Sequence, residues 1–137
     1  DCVAAFALSA RPREWSTQVL DARAAAARAA ALEGPVAFVF GNEQAGLTNY
    51  NAVANQFGFV VAYPDGIDLS WADGRGASIP DRQGVDDVGF LSALIDRLSR
   101  DFAIPPGRVF VTGMSAGAFM ANRLACDRAD LVSEPTV

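Results

Sequence analysis

The pattern with the clearest chemistry in this chain is a serine with a glycine two residues before it and another two residues after it: Gly113, Ser115 and Gly117. The segment lies between an apolar run that predicts a strand and an alanine-containing run that predicts a helix. A tight strand-to-helix turn holds such a serine exposed in a strained conformation, and the glycines let the flanking backbones pass without clashing. The spacing therefore predicts that Ser115 is a nucleophile for acyl transfer.

The residue after the serine has a predicted role too. The helix that follows presents its positive end and its free N–H groups, so the backbone amide of Ala116 is predicted to donate to an oxyanion. The alternative is a glycine-lined turn in which Ser115 caps the helix and no catalysis takes place. Spacing alone leaves both interpretations open.

The composition limits what such a serine can do. A serine hydroxyl is a poor nucleophile unless a neighbouring group takes its proton, and the 137 residues contain no histidine and no lysine. Carboxylates such as those of Asp86 and Asp87 are weak bases at their usual pKa, and we interpret both as charges at a helix N-terminus. We expect negligible hydrolysis by this chain alone.

The charge balance argues against several partners. Eleven positive and sixteen negative residues give a net charge of -5, so no general attraction to nucleic acid exists. No apolar run reaches the roughly 20 residues of a membrane span, and no basic stretch precedes an apolar one as in a signal peptide. Cys2 and Cys126 have no metal-ligand spacing. We expect no nucleic-acid, membrane or metal partner, and the compartment stays open.

The remaining elements must position the serine. Continuous apolar runs predict buried strands at residues 2–8, 36–40, 59–63 and 109–112. Helices are predicted between and after them, at residues 22–32, 51–56, 85–100 and 116–126. Strands that are apolar on both faces are typical of a parallel sheet covered by helices. We therefore predict one α/β domain over residues 1–137, a three-layer sandwich with about four mostly parallel strands and helices on both faces.

A stretch rich in Gly, Pro, Asp and Ser, residues 64–84, separates the third strand from the next helix and contains Trp71. It is predicted to be either a functional loop or a surface excursion that Trp71 anchors to the core.

Several blocks resemble the polyhydroxybutyrate depolymerase and feruloyl esterase family of serine α/β-hydrolases: residues 57–66, 70–76, 84–91, 108–115 and 123–126. The resemblance covers residues 51–131 and implies a partial α/β-hydrolase (Rossmann-like) core in which Ser115 forms an acyl intermediate from an ester substrate. The chain departs from the family at Ala116 and Ala118, and at Phe40-Gly41, where the family has a His-Gly pair. The family's triad acid and histidine come later than any residue here, which reinforces the expectation of inactivity alone.

The first third resembles another family. Residues 8–13, 20–23 and 34–49 are similar to SpoU-type tRNA ribose methyltransferases of the SPOUT class. The resemblance implies that Gly41, Glu43, Gly46 and Leu47 belong to an S-adenosylmethionine pocket. Without the family's other pocket segments we favour a simpler interpretation, a strand that ends in a glycine-rich turn with Thr48 capping the next helix.

These patterns lead to one hypothesis and two alternatives. We expect a chimera of a SPOUT-like segment, residues 1–49, and an esterase-derived segment, residues 50–137, that binds no cofactor. One alternative is a half-enzyme that hydrolyses esters when another chain completes it, and the other is an S-adenosylmethionine-binding fragment. An exposed sheet edge further predicts a homo-oligomer.

Overall fold

A computed structural model describes residues 7–9, 36–40 and 58–133 of the chain. Its strands are β1 (Ala7–Ser9), β2 (Val36–Phe40), β3 (Val60–Asp65) and β4 (Val109–Gly113). They pair in the order β1-β3-β2-β4, and every pairing is parallel. The carboxyl ends of the strands therefore share one edge of the sheet, where the loops that carry function in parallel sheets are found.

The interior strand β3 forms because its residues before Asp65 are suited to burial. Its residues from Val60 to Pro64 are buried without alternation, as expected of a strand covered on both faces. Pro64 has no backbone N–H and predicts the end of the strand, yet pairing with β1 continues through Asp65. β4 differs from β3, since only Val109 of its five residues is buried. β4 is the last strand in the order of the sheet. Formation of a homo-oligomer through its outer edge stays a prediction.

The helices are α1 (Ile79–Gln83), α2 (Asp87–Asp101) and α3 (Ala116–Asp127). Along α2, residues at three- and four-residue spacing are buried: Leu91, Leu94, Ile95 and Leu98. The opposite side carries an ion pair between Arg97 and Asp101, one turn apart. This division between an apolar and a charged side is the reason that the segment forms an amphipathic helix against the core.

The core joins α2 and α3 to the sheet and to the long loop. Met120 and Leu124 of α3 are fully buried together with the apolar residues of α2. Trp71, from the segment between β3 and α1, belongs to the same cluster. The loop is therefore anchored by a large buried side chain, as one of the two interpretations of this segment predicts.

The mixture of helices and strands confirms the α/β class, while the three-layer arrangement stays a prediction. The helices predicted at residues 22–32 and 51–56 lie outside the described residues. The segment 64–84 is not loop throughout, because α1 lies within it. Ser78 caps α1, Pro80 lies in its first turn and Gly84 ends it in a left-handed conformation, signals that the sequence carries over too short a span to predict a helix. Among the described helices, none combines the length and apolar character that crossing a membrane requires.

Substitution of one core residue tests this packing. Leu94 of α2 is 1% exposed, and Leu94→Ala is expected to lower the free energy of unfolding by roughly 2–5 kcal/mol because it removes buried methyl groups and leaves a cavity. Urea denaturation followed by circular dichroism measures the change. Ala93→Ser, at the exposed neighbouring position, is the control, and a loss no larger than that of the control contradicts the packing.

Candidate active site at Ser115

The site is built on the connection from β4 to α3. β4 ends at Gly113 and α3 begins at Ala116, so that only Met114 and Ser115 make the turn. Ser115 has φ 53° and ψ -120°, a backbone region that a residue with a side chain rarely adopts and that costs of the order of 1–3 kcal/mol. Its side chain is exposed. The turn therefore holds the hydroxyl of Ser115 out from the carboxyl edge of the sheet.

The hydroxyl of Ser115 does not cap the helix. Ser115 occupies the capping position of α3, but its side chain makes no capping hydrogen bond. A serine at this position ordinarily accepts a hydrogen bond from the backbone amide two or three residues later. Here the amides of Ala118 and Phe119 donate instead to the carbonyl oxygen of Ser115, at 3.0 Å and 3.3 Å. The interpretation of Ser115 as a capping serine was wrong, and its hydroxyl is left for other chemistry.

Gly113, the residue before the turn, is required for steric reasons. A Cβ at position 113 would overlap the backbone carbonyl of Gly117 and would approach the nitrogen of Ala118. Gly117 is itself buried in the first turn of α3. The absence of a side chain at Gly113 therefore lets the end of β4 and the start of α3 come into backbone contact, as the pattern predicts for its first glycine.

The amide of Ala116 has no acceptor among the residues that the structure describes. As the first residue of α3, it belongs to the first-turn donors that have no acceptor within the helix. The next amide, of Gly117, donates to the carbonyl of Met114 at 3.0 Å, whereas the Ala116 amide donates to no acceptor in the described part of the chain. A free amide directly after an exposed serine has the position that an oxyanion donor needs.

A loop borders the start of α3. We call residues 71–78 the Trp71 loop. Its ends are fixed by hydrogen bonds from the Ser78 hydroxyl to the carbonyl of Trp71, at 2.6 Å, and from the amide of Ala72 to the carboxylate of Asp87, at 2.7 Å. Its middle is held by Asp81 of α1, whose carboxylate accepts from the amides of Gly74 and Gly76. The loop is therefore held by a hydrogen bond within it and by others to the carboxylates of Asp81 and Asp87.

The Trp71 loop is joined to α3 by an arginine. The side chain of Asp73 is 1% exposed and accepts two hydrogen bonds from the guanidinium of Arg75, at 3.0 Å and 2.8 Å. The same guanidinium lies over the ring of Phe119, with its carbon 3.4 Å from the ring centroid. Phe119 is one helical turn after Ser115, so the loop, the arginine and the nucleophile turn form one surface.

A second contact lies one turn further along α3. The guanidinium of Arg123, which pairs with Asp127, occupies the space that a side chain at position 74 would need. Position 74 favours glycine because it has φ 87°, while the tip of the flexible Arg123 side chain could shift to make room. The Trp71 loop therefore packs against two successive turns of α3.

Burial and pairing set the charge of two carboxyl groups near this surface. Hydrogen bonding to the Arg75 guanidinium lowers the pKa of Asp73, so this carboxylate is ionised at neutral pH. Burial raises the pKa of Asp87, against the opposing effect of the hydrogen bond from the Ala72 amide. The charges of Asp86 and Asp81 raise the pKa of Asp87 further. Oδ1 of Asp87 is buried and accepts no hydrogen bond from any described residue.

The structure brings together only part of the predicted site. Ser115 and Ala116 lie where the sequence predicts, at the strand-to-helix turn. The predicted cofactor residues Gly41, Glu43, Gly46 and Leu47 lie outside the described residues, so an S-adenosylmethionine site stays a prediction. Within residues 58–133 and the two described strands before them, no group of His, Cys, Asp or Glu residues could hold a metal ion.

Sequence reasoning missed three contributors to this surface: Asp73, Arg75 and Phe119. An acidic residue two positions before an arginine in a glycine-rich stretch was the only signal available for the ion pair. Asp86 and Asp87 do lie at the start of α2, where Asp86 accepts a hydrogen bond from the Gly89 amide at 2.8 Å. The added role of Asp87, as a buried acceptor for the loop, has no signal in the sequence.

Comparisons with known proteins find relatives among esterases. The chain is 36% identical over 92 residues to the bifunctional acetylxylan esterase/xylanase of Neocallimastix patriciarum, a match that covers 61% of this chain and 13% of that protein. It is 36% identical over 89 residues to the acetylxylan esterase of Coprinopsis cinerea, covering 63% of this chain and 24% of that enzyme. This chain is similar to esterases.

Other matches agree with these two. The probable feruloyl esterase C of Aspergillus niger is 32% identical over 66 residues, which cover 48% of this chain and 21% of that protein. The matched part of the chain thus spans a quarter or less of the length of these three relatives. No protein-family model matches the chain. No solved structure matches it either.

Gly113→Ala tests the backbone contact beneath the turn. The new Cβ would overlap the backbone of Gly117, so β4 and α3 must separate, and we expect a loss of stability of roughly 1–3 kcal/mol on thermal or urea unfolding. The matched control is Gly107→Ala, where φ is 77° but no atom lies within 4 Å of the new Cβ. It measures the cost of a Cβ at a positive φ, a strain that Gly113 does not have. A loss of stability clearly below about 1 kcal/mol for Gly113→Ala would contradict the contact.

Asp87→Asn tests the buried carboxyl group. Because the folded-state pKa of Asp87 is raised, the native state holds the proton more tightly, and stability falls as pH rises from about 4 through the folded-state pKa. The asparagine variant lacks this loss and keeps an oxygen for the Ala72 amide. We expect its stability relative to the wild type to increase between about pH 4 and neutrality, as measured by urea unfolding. Asp96→Asn, at an exposed position of α2, controls for the removal of one charge; the same trend in both variants would refute the assignment.

Proposed function

We propose that this chain carries the nucleophile segment of a carboxylic ester hydrolase and that Ser115 is the nucleophile. The observation that carries the proposal is the backbone of Ser115, with φ 53° and ψ -120°, in a turn where its hydroxyl makes no capping hydrogen bond and the following amide donates to no residue that the structure describes. Strain of this kind persists only where the surrounding structure imposes it, and it is concentrated at functional sites. Similarity to acetylxylan and feruloyl esterases supports the ester as the substrate class.

The chemistry follows from the positions of the two groups. Oγ of Ser115 attacks the ester carbonyl carbon, its proton passes to a base, and the carbonyl oxygen becomes an oxyanion that accepts from the Ala116 amide. The ester C–O bond then breaks, the alcohol leaves with a proton, and an acyl group remains on Ser115. Attack by water on this acyl group releases the acid and restores the hydroxyl. One such donor contributes a factor of about 10²–10³ to the rate in serine hydrolases.

The usual general base for Ser115 is missing from these residues. The 137 residues include no histidine and no lysine, so we infer that a base of either kind reaches Ser115 from outside them, in a further segment or another chain. Loss of the base of a serine triad lowers kcat by roughly 10⁴–10⁶. The 137 residues alone are accordingly expected to turn over esters at a negligible rate.

The same proposal includes the finer architecture. We propose that the sheet is the core of an α/β-hydrolase-like domain, with helices on both faces and the site at the carboxyl edge. The parallel pairing of the four strands and the burial of β3 along almost its whole length support this arrangement. Residues 1–137 then form a single domain.

Chemical rescue with imidazole tests the role of Ser115. Imidazole in solution supplies the missing base, and a fluorophosphonate reports attack by Oγ, because an O–P bond forms as fluoride leaves. We expect intact-mass analysis to show one adduct per chain, formed at a rate that rises with imidazole concentration and located on Ser115 by peptide mapping. Ser115→Ala should abolish this adduct.

The control for general serine reactivity is Ser99→Ala in α2, which should label like the wild type. Imidazole-dependent labelling that survives in Ser115→Ala would overturn the proposal. The absence of any imidazole-dependent adduct on a sample whose circular dichroism shows the folded state would also overturn it.

A further inference from the structure

The side chain of Arg75 has hydrogen-bond donors that its partner Asp73 does not use. A guanidinium carries five N–H groups. Asp73 takes one from Nε and one from Nη2, and the remaining side-chain donors have no acceptor among the residues that the structure describes. The side chain is 47% exposed, whereas that of its partner Asp73 is 1% exposed. The guanidinium is thus fixed on one side by a buried carboxylate and open to solvent on the other.

Arg75 is held against α3 one helical turn after Ser115, through its contact with Phe119. Side chains on a helix lean toward its N-terminus, so a residue covers the surface of the preceding turn. Phe119 therefore extends back along α3 toward Ser115, and Arg75 lies on its ring. Neighbouring side chains one turn apart are separated by roughly 6 Å. A group bound by the free donors of Arg75 would belong to the substrate, several bonds away from the carbon that Ser115 attacks.

The surrounding charges decide what kind of group fits. Around the Trp71 loop, three guanidinium groups lie near three carboxylates. Arg75 and Arg123 pair with Asp73 and Asp127, Asp81 accepts from the amides of Gly74 and Gly76, and Arg82 donates to the carbonyl of Ala77. The charges balance, and that of Arg75 is already paired with Asp73, so no net positive charge attracts a substrate anion. A neutral oxygen acceptor can use the free N–H groups of Arg75 without bringing an added charge.

We propose that Arg75 is a specificity-determining residue that donates hydrogen bonds to a neutral ether, hydroxyl or carbonyl oxygen of the ester, outside the scissile bond. Asp73 is its positioning residue, and Phe119 supports the guanidinium plane. The site thus favours esters with an oxygen-rich, uncharged acyl or alcohol portion over purely aliphatic or anionic ones. This inference rests on the proposed role of Ser115.

Three esters of equal length test the selectivity. The 4-nitrophenyl esters of 5-methoxypentanoic acid, heptanoic acid and adipic acid (as the monoester) place an ether oxygen, a methylene or a carboxylate at the same distance from the reacting carbonyl. Rates of Ser115 acylation are measured by intact mass in imidazole, and each is divided by the rate of the same ester with imidazole alone. We expect the methoxypentanoyl ester to exceed the heptanoyl ester by about tenfold, the factor of one charge-assisted hydrogen bond, and the adipoyl ester not to exceed it.

Variants assign the effect to Arg75. Arg75→Met, with thermal unfolding to verify that it folds, should bring the ratio of methoxypentanoyl to heptanoyl rates to about one. Arg100→Met, at an exposed position near the end of α2, should keep the wild-type ratio. A ratio that Arg75→Met leaves unchanged, or an adipoyl ester that reacts fastest, would overturn the proposal.

A binding measurement separates this inference from the proposed role of Ser115. The inert amides N-methyl-5-methoxypentanamide and N-methylheptanamide are titrated into the wild-type chain while the Nε–Hε resonance of Arg75 is followed by NMR. A shift produced by the ether compound, and not by the alkyl compound, supports the role of Arg75 even if no ester acylates Ser115. Equal or absent shifts would refute it, whatever the outcome of the acylation experiment.

Discussion

Close contact between two backbones, at the end of β4 and in the first turn of α3, is the constraint on which the site depends. The contact exists because position 113 carries no side chain, since a Cβ there would overlap the backbone of Gly117. It forces the chain to reverse its path within two residues, and the strained conformation of Ser115 is the consequence. The hydroxyl and the Ala116 amide are therefore presented together as a result of the same packing, without side-chain hydrogen bonds to direct either group.

The strain at Ser115 must be offset elsewhere, and the core of the described region shows where. Leu91, Leu94, Met120 and Leu124 are almost completely buried between α2, α3 and the sheet, and each contributes about 1.5–3 kcal/mol of burial free energy. The Trp71 loop adds its own buried tryptophan to this cluster. A single unfavourable residue of about 1–3 kcal/mol is small beside this sum, so the fold can hold the turn in place.

The local sequence predicts two strands, α2 and the turn at Ser115, but it does not predict α1. Continuous apolar runs identify β3 and β4, and three- and four-residue periodicity identifies α2. For β3 and α2 the reason is burial, on two faces or on one side, which leaves a direct record in residue type, whereas β4 has an apolar run although only Val109 is buried. The glycine spacing likewise identifies the turn at Ser115. By contrast, α1 rests on a cap, a proline and a terminal glycine within five residues, too short for periodicity to appear.

The tertiary contacts of the site are the part that sequence could not reveal. The pair of Asp73 and Arg75 is local, but its placement on Phe119 joins residues far apart in the chain. Asp87 was correctly predicted at the start of α2, yet its burial depends on where the Trp71 loop packs. Such contacts are set by the path of the backbone between elements, and no residue pattern within one element encodes them.

The pairing of β2 with β4 also bears on the order of folding. It aligns residues 36 and 109, which are more than half of the 137-residue chain apart. Closing so long a loop costs entropy before any contact compensates for it, and parallel pairings of this kind form slowly. The strand that ends at the nucleophile turn therefore reaches its final place late in folding. The helix that follows it, α3, can form earlier from local contacts, and the reactive geometry of Ser115 is then among the last features that the folding chain acquires.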